Sequence, residues 1–359
     1  MLTKQQLIAQ FDANDVGEVG QLFGIPFTPE TAEVVIIPAA WDVTVSYQAG
    51  TCFGPEDILY ASSQVDLFDL DIPHAWQLGV AMLQEGEEWL EASETLRTEV
   101  TDYTDWLESG RPSKPDVAYL KKIPGIVNEE GKKFNEWVKQ TALTWLEKKK
   151  MVALVGGDHS TALGLLQALA TQHDTFGILQ IDAHADLREA YQGFTYSHAS
   201  IMYNALAIPQ MSKLVQVGIR DYCEEEYQRI QASKGRIVTF FDQDLKEATY
   251  EGATWKTSCE QIIAQLPDKV YISFDIDGLD PKLCPHTGTP VAGGFDFHQV
   301  VYLLKKMIQA GKKIIGFDLV EVANSPDTTD EWDANVGARL LYKLCNWMAV
   351  SQGKLTTNA

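Results

Sequence analysis

Basic residues are scarce in this chain: 29 Lys and Arg stand against 50 Asp and Glu in 359 residues, a formal net charge of −21. Such a surface repels nucleic-acid phosphates, so DNA and RNA are poor partners and small cations good ones. Cysteine is also sparse. Cys52, Cys223, Cys259, Cys284 and Cys345 are scattered, odd in number and without a C-x-x-C pair. That spacing suits neither a disulfide framework nor a thiolate zinc site, and free thiols in a reducing, cytoplasmic setting are expected. The amino terminus has no apolar signal segment, and no apolar run is long enough to cross a bilayer. No G-x-G-x-x-G or P-loop opens a helix, so neither membrane nor nucleotide is an expected partner.

Hydrophobic residues, 45% of the chain, are plentiful enough for a sizeable core. Segments 33–40, 151–157, 177–183, 214–219, 236–241, 269–275 and 313–319 are short, β-branched and almost continuously apolar. Strands covered by helices on both faces read this way. Helices are expected between them at 160–173, 197–207, 224–232, 256–266, 297–310 and 330–350. This alternation predicts an α/β fold with a mostly parallel sheet. The stretch 83–148, rich in Glu, Lys, Trp and Leu, breaks the rhythm and predicts two or three surface helices inserted into one domain spanning 1–359. A small independent helical module is the other reading of that stretch.

The carboxylates and imidazoles sit where predicted strands end. Strand 177–183 runs into Asp182-Ala183-His184-Ala185-Asp186, and alternation along an extended chain would turn the three polar side chains to one side. Strand 269–275 ends in Asp275-Ile276-Asp277, and strand 151–155 in Gly156-Gly157-Asp158-His159-Ser160. Open α/β sheets place their ligand crevice at such ends. Each motif alone also reads as turn or cap chemistry. Together, four carboxylates and two imidazoles would repel one another unless cations neutralised them, and two divalent ions sharing carboxylates suit them better than one. Hard oxygen donors without thiolate suit Mn²⁺, with Ni²⁺ also open.

GGDHS (156–160), DAHAD (182–186) and SFDIDGLDP (273–281) closely resemble the signature segments of the ureohydrolase family of arginases and agmatinases. The resemblance runs from about 33 to 350, apart from 83–148. It implies an arginase-like three-layer α/β/α sandwich around a mostly parallel sheet of about eight strands, with two Mn²⁺ per chain. By position, His159 and Asp186 would hold one ion, His184 and Asp277 the other, and Asp182 and Asp275 would bridge them. Asp186 would also accept a hydrogen bond from the attacking water. His198, in YSHAS (196–200), resembles the family's proton-transfer histidine. Glu321 resembles the glutamate that pairs with the substrate or with that histidine. A homotrimer or homohexamer is expected.

DLREAYQGFTYSHAS (186–200), GIRDY (218–222) and SYQAGTCFGPEDIL (46–59) look most like agmatinases, and Cys223 stands where arginases carry an acidic residue. The expected reaction therefore converts agmatine, a small cationic guanidino substrate, to putrescine and urea. Arginine, guanidino acids, guanidine and formiminoglutamate are alternative substrates, with Arg188 or Arg220 available to a guanidino acid. A single-zinc deacetylase-like hydrolase and an inactive structural paralogue are remoter readings. His286 could border the substrate; His74, His173 and His298, and the tryptophans, read as packing or surface residues.

Overall fold

The computed structural model describes residues 2–358 apart from 85, 114 and 328. Among these, eight strands form one sheet in the order β2-β1-β3-β8-β7-β4-β5-β6, and every neighbouring pair is parallel. They are β1 (Val34–Ala39), β2 (Val80–Met82), β3 (Met151–Gly156), β4 (Phe176–Ile181), β5 (Met211–Ile219), β6 (Ile237–Phe241), β7 (Lys269–Asp275) and β8 (Lys313–Val320). The apolar strands bury both faces, as their composition predicts. Val34 and Ile36 point into one core while Val35 and Ile37 point into the other.

The first core is closed by α2 (Gly54–Ser62), α9 (Asp242–Tyr250), α10 (Trp255–Gln265), α11 (Phe297–Gln309) and α12 (Trp332–Ser351), with α1 (Lys4–Gln10) packed at its edge. The second is closed by α3 (Glu87–Glu108), α4 (Val117–Leu120), α5 (Ile123–Glu147), α6 (Leu163–Leu169), α7 (Ile201–Leu206) and α8 (Glu224–Ala232). The result is the three-layer α/β/α sandwich. Helix α11 shows the local logic: Asp296 and Gln299 form a capping box, and Val300, Val301, Leu303, Leu304 and Met307 make one buried stripe.

Four elements escape the sequence rhythm. Strand β2 is only three residues long, α1 is short, and α2 and α9 follow their preceding segments with little loop. The expected helix 160–173 is shorter, a 3-10 turn at His159–Ala162 leading into α6.

The stretch 83–148 forms three helices, α3, α4 and α5, with exposed outer faces, but their inner faces belong to the second core. In α5, Phe134, Val138 and Ala142 are fully buried, and α5 packs against β1, β3 and α6. Gly164 of α6 makes that approach possible, because a Cβ there would fall 2.4 Å from the Asn135 carbonyl oxygen. Trp41, Trp89, Phe134 and Trp137 cluster around the same seam, so these tryptophans pack helices as expected.

Strands β3, β8, β7 and β4 are consecutive in the sheet. Parallel strands lie about 4.8 Å apart, so the loops leaving these four carboxyl ends meet within roughly 15 Å. The chemistry-bearing motifs leave from those ends.

Candidate active site

The three motifs converge, though not by simple alternation. Strand β4 stops at Ile181, and 182–186 is a loop in which Asp186 takes φ +53°. Asp277 Oδ1 accepts from the Ala183 N–H at 3.0 Å, which ties this loop to the end of β7. Residues 276–278 form a 3-10 turn capped by Asp275, whose side chain accepts from the Asp277 N–H at 2.9 Å. Asp275 thus caps a turn and faces the cluster at once. Asp158 caps the His159 turn in the same way through the Ser160 N–H, at 3.0 Å.

His159 Nδ1 lies 2.9 Å from Asp186 Oδ2, 3.1 Å from Asp182 Oδ2 and 3.4 Å from Asp275 Oδ2. Three carboxylate oxygens surround one ring nitrogen that makes no hydrogen bond. The ring's other nitrogen, Nε2, is 2.8 Å from Ser273 Oγ, and Ser273 reaches the fully buried Asp318 at 2.9 Å. If Nε2 carries the proton, as a donor to this pair, Nδ1 presents a lone pair to three anions. Such a nest needs a positive charge: in the metal-free fold protons supply it, the three carboxylates holding His159 well above its usual value against its burial, and a metal ion can take their place. On the other side, His184 Nδ1 is 3.0 Å from Asp277 Oδ2, another buried atom without a hydrogen bond, and 3.7 Å from Asp182 Oδ1. His159, Asp182 and Asp186 form one group able to hold a metal ion, and Asp182, His184 and Asp277 a second. Asp182 belongs to both.

The electrostatics agree. Burial first, then the Asp277 and Asp182 charges, push the Asp275 carboxyl well above its ordinary value. Burial and Asp182 push Asp186 up to about 7, whereas flanking by His159 and His184 holds Asp182 low against its burial. In the metal-free fold Asp186 keeps a proton that the unfolded chain would release. Its contribution to stability is present below the unfolded value of about 3.9 and is lost as pH rises through about 7. An entering cation must displace that proton. Mn²⁺ affinity measured by titration calorimetry should therefore fall by about tenfold or more from pH 8 to pH 6. A flat profile would contradict this picture.

His198 opens a 3-10 turn just before α7, beside the cluster. Its backbone N–H donates to Thr44 Oγ1 at 3.1 Å, and Thr44 donates to Asp158 Oδ2 at 2.7 Å. Asp158 thus orients its neighbours, and Thr44 is a site residue that no motif announced. Burial, with positive His184 and His159 nearby, lowers the His198 pKa to about 3, so the imidazole is neutral at working pH. Glu321 follows β8 with φ +62° and is buried; its Oε1 accepts from the His159 N–H at 3.0 Å, while Oε2 has no partner. Burial and the Asp275 and Asp158 charges push its carboxyl well up.

A pocket of about 320 Å³ opens over the cluster, with His184, Asp186 and His198 in its wall and Tyr47, Arg188, Tyr191, Asp221 and Tyr222 farther out. Arg188 Nε lies 3.8 Å from Glu226 Oε2, and its guanidinium sits 5.0 Å from the Tyr191 ring centre. Arg220 is committed elsewhere, donating to the carbonyls of Asp277, Leu279 and Val291. His286 turns its Nδ1 to Asp333 at 2.9 Å and does not line the pocket. Cys223 caps α8 in a capping box with Glu226.

The segment 83–148 braces both flanks of this pocket. Ser93 and Arg97 of α3 bond Asp42 and the carbonyls of Val43 and Val45, fixing the loop that carries Thr44 and Tyr47. Tyr103 donates to the Gln192 carbonyl at 3.0 Å, and Asn128 accepts from the Thr195 N–H at 2.7 Å, fixing the loop between Asp186 and His198.

Among the described residues no helix is long and apolar enough to cross a membrane. The chain is 32% identical over 336 residues to an N(1)-aminopropylagmatine ureohydrolase of Thermus thermophilus, covering 93% of this chain and 97% of that one. It is 27% identical over 331 residues to a protein of the same name from Synechocystis, covering 90% and 91%. Its fold superposes on the crystal structure of an agmatine ureohydrolase of Thermoplasma volcanium with a TM-score of 0.66 at 20% identity, over 98% of this chain and 99% of that one. A family model described as the Arginase family matches residues 32–346. The chain therefore belongs to the arginase family.

Proposed function

We propose that the protein is a binuclear manganese hydrolase that releases urea from a linear guanidino amine, agmatine or its aminopropyl-extended form. The observation that carries this reading is the lone His159 Nδ1 enclosed by three carboxylates, beside a second His/Asp group that shares Asp182. His159, Asp186, Asp182 and Asp275 would hold one ion, and His184, Asp277 and the same two shared carboxylates the other. Two divalent ions held there would lower the pKa of a bound water toward neutrality and so supply the nucleophile.

The chain's own groups supply the rest. Asp186 lines the pocket as well as the ion cluster, so it can accept a hydrogen bond from the attacking water and align it with the guanidinium carbon. Attack gives a tetrahedral carbon, and the leaving amine needs a proton. His198, at the pocket wall, can relay one: a neutral imidazole gives its N–H proton to that nitrogen as its other ring nitrogen takes one from solvent. Glu321 steadies the His159 backbone and does not line the pocket, so a positioning role suits it better than pairing with the substrate.

The pocket mouth supports an amine tail. Asp221 is exposed there, beside Tyr47, Tyr191 and Tyr222 in the same pocket lining. The acidic surface of the whole chain would favour approach of a dication. Arg188 favours a second reading, a guanidino acid, but it already faces Glu226 and Tyr191.

Urea release by Mn²⁺-loaded protein, measured as kcat/KM over a substrate panel, tests the proposal. Agmatine or N1-aminopropylagmatine should exceed arginine and guanidinobutyrate by about 100-fold or more, since a like charge at the mouth costs several kcal/mol. Guanidine, and formamide release from formiminoglutamate, complete the panel. A preference for guanidinobutyrate would transfer the tail-binding role to Arg188. No urea from any of them would overturn the proposal.

A further inference from the structure

A row of polar side chains crosses the otherwise apolar sheet one layer beneath the site. Thr239 of β6, Gln216 of β5, Gln180 of β4, Ser273 of β7 and Asp318 of β8 are register partners, each beside the next. Ser273 lies two residues before Asp275 and on the same side of β7, and Gln180 reaches Asp182 just beyond the end of β4. Gln180 and Gln216 are fully buried.

The glutamine half is completely bonded. Gln180 Nε2 donates to Asp182 Oδ2 at 2.8 Å and to the His184 carbonyl at 3.2 Å. Gln216 Nε2 donates to Gln180 Oε1 at 2.7 Å and to the Ala185 carbonyl at 2.8 Å, and its Oε1 accepts from Thr239 at 2.7 Å. Both amides have only one workable orientation. The His184 and Ala185 carbonyls cannot donate, so the atom facing each must be nitrogen. That leaves an N–H of Gln180 aimed at Asp182, whose other oxygen already accepts from the His184 N–H at 2.6 Å.

We propose that Gln180 and Gln216 are positioning residues that set the metal affinity of the site. They clamp the Asp182 side chain and the His184–Ala185 backbone, and so place the loop that supplies Asp182, His184 and Asp186. The two donors to Asp182, one on each oxygen, fix its rotation and leave each oxygen a lone pair for an ion. Apolar residues would fill the same space without needing partners, and a sheet interior does not otherwise call for two amides. This inference rests on the metal reading above.

The test is Mn²⁺ titration calorimetry on the purified wild type and on the volume-matched variants Gln180→Met and Gln216→Met, with circular dichroism to verify folding. The wild type should bind two ions. Gln180→Met should bind about 10- to 100-fold more weakly, the range for partners that orient ligands. Gln216→Met, which leaves the Asp182 donor in place, should bind more weakly than wild type but lose less. Saturating Mn²⁺ should restore much of kcat while KM for agmatine stays near wild type. If Gln180→Met does not fold, the Gln216→Met affinity decides. Folded variants with wild-type affinity, even if less heat-stable, would overturn the positioning role and leave the hydrolase reading intact. A wild type that binds no ion would overturn both.

Discussion

Asp182→Asn should abolish urea release and strip both ions from the protein together. Asp182 belongs to both ligand groups, and each of its oxygens has one lone pair committed to a fixed donor. An amide there loses a charge and turns an NH₂ toward another donor, the Gln180 amide in one rotamer and the His184 N–H in the other. Partners that merely orient ligands cost about 10- to 100-fold in affinity, and a shared ligand should cost more. Elemental analysis after dialysis should find less than one ion per chain, with activity lower by on the order of 10³-fold or more. Asp275→Asn should behave alike in metal content but differ in the metal-free protein. Burial and two neighbouring carboxylates oppose the Asp275 charge, so removing it should leave metal-free thermal stability no lower than wild type. Retention of both ions by Asp182→Asn would refute its shared role.

His198→Ala should lower kcat by about 10²- to 10⁴-fold, the usual worth of a positioned proton-transfer group, with two ions still bound and KM little changed. The separation follows from the geometry. His198 belongs to neither ligand group, and its link to the cluster runs through its own backbone N–H to Thr44 and then to Asp158. Alanine keeps that backbone bond. Because burial and adjacent positive charge hold the imidazole neutral, the variant should lose no ionisation step between pH 6 and 8 from His198 itself. Loss of metal in this variant would make His198 a ligand or a structural residue instead.

Much of this site is legible in the order of residues because each cluster follows a β-rich apolar run, and parallel strands deliver their carboxyl ends to one crevice. Alternation was nevertheless the wrong local reason. Asp186 reaches the cluster through a left-handed backbone, and Asp275 and Asp277 meet across a 3-10 turn, so turn chemistry and site coincide. Helix α2 carries readable signals in its first turn, Pro55 with Glu56 and Asp57 after it. Strand β2 offered three residues, too few for a period.

The stretch 83–148 reads as acidic and exposed because α3 and α5 each show one charged face, while their buried stripes are spread over many turns. Ser93, Arg97, Tyr103 and Asn128 act on loops 51 to 89 positions away, contacts that no local window contains. Gln180 and Gln216 did leave a mark: each is a lone amide in an apolar strand. Their shared register becomes visible only once β4 and β5 are paired.

The central claim is that six side chains from three strand ends hold two divalent ions. Diffraction from crystals soaked in Mn²⁺, recorded at the manganese absorption edge, tests it most directly. The account predicts two anomalous peaks, one beside His159 and Asp186, the other beside His184 and Asp277, with Asp182 and Asp275 between them. A single peak, or none in a fully soaked crystal, would contradict it.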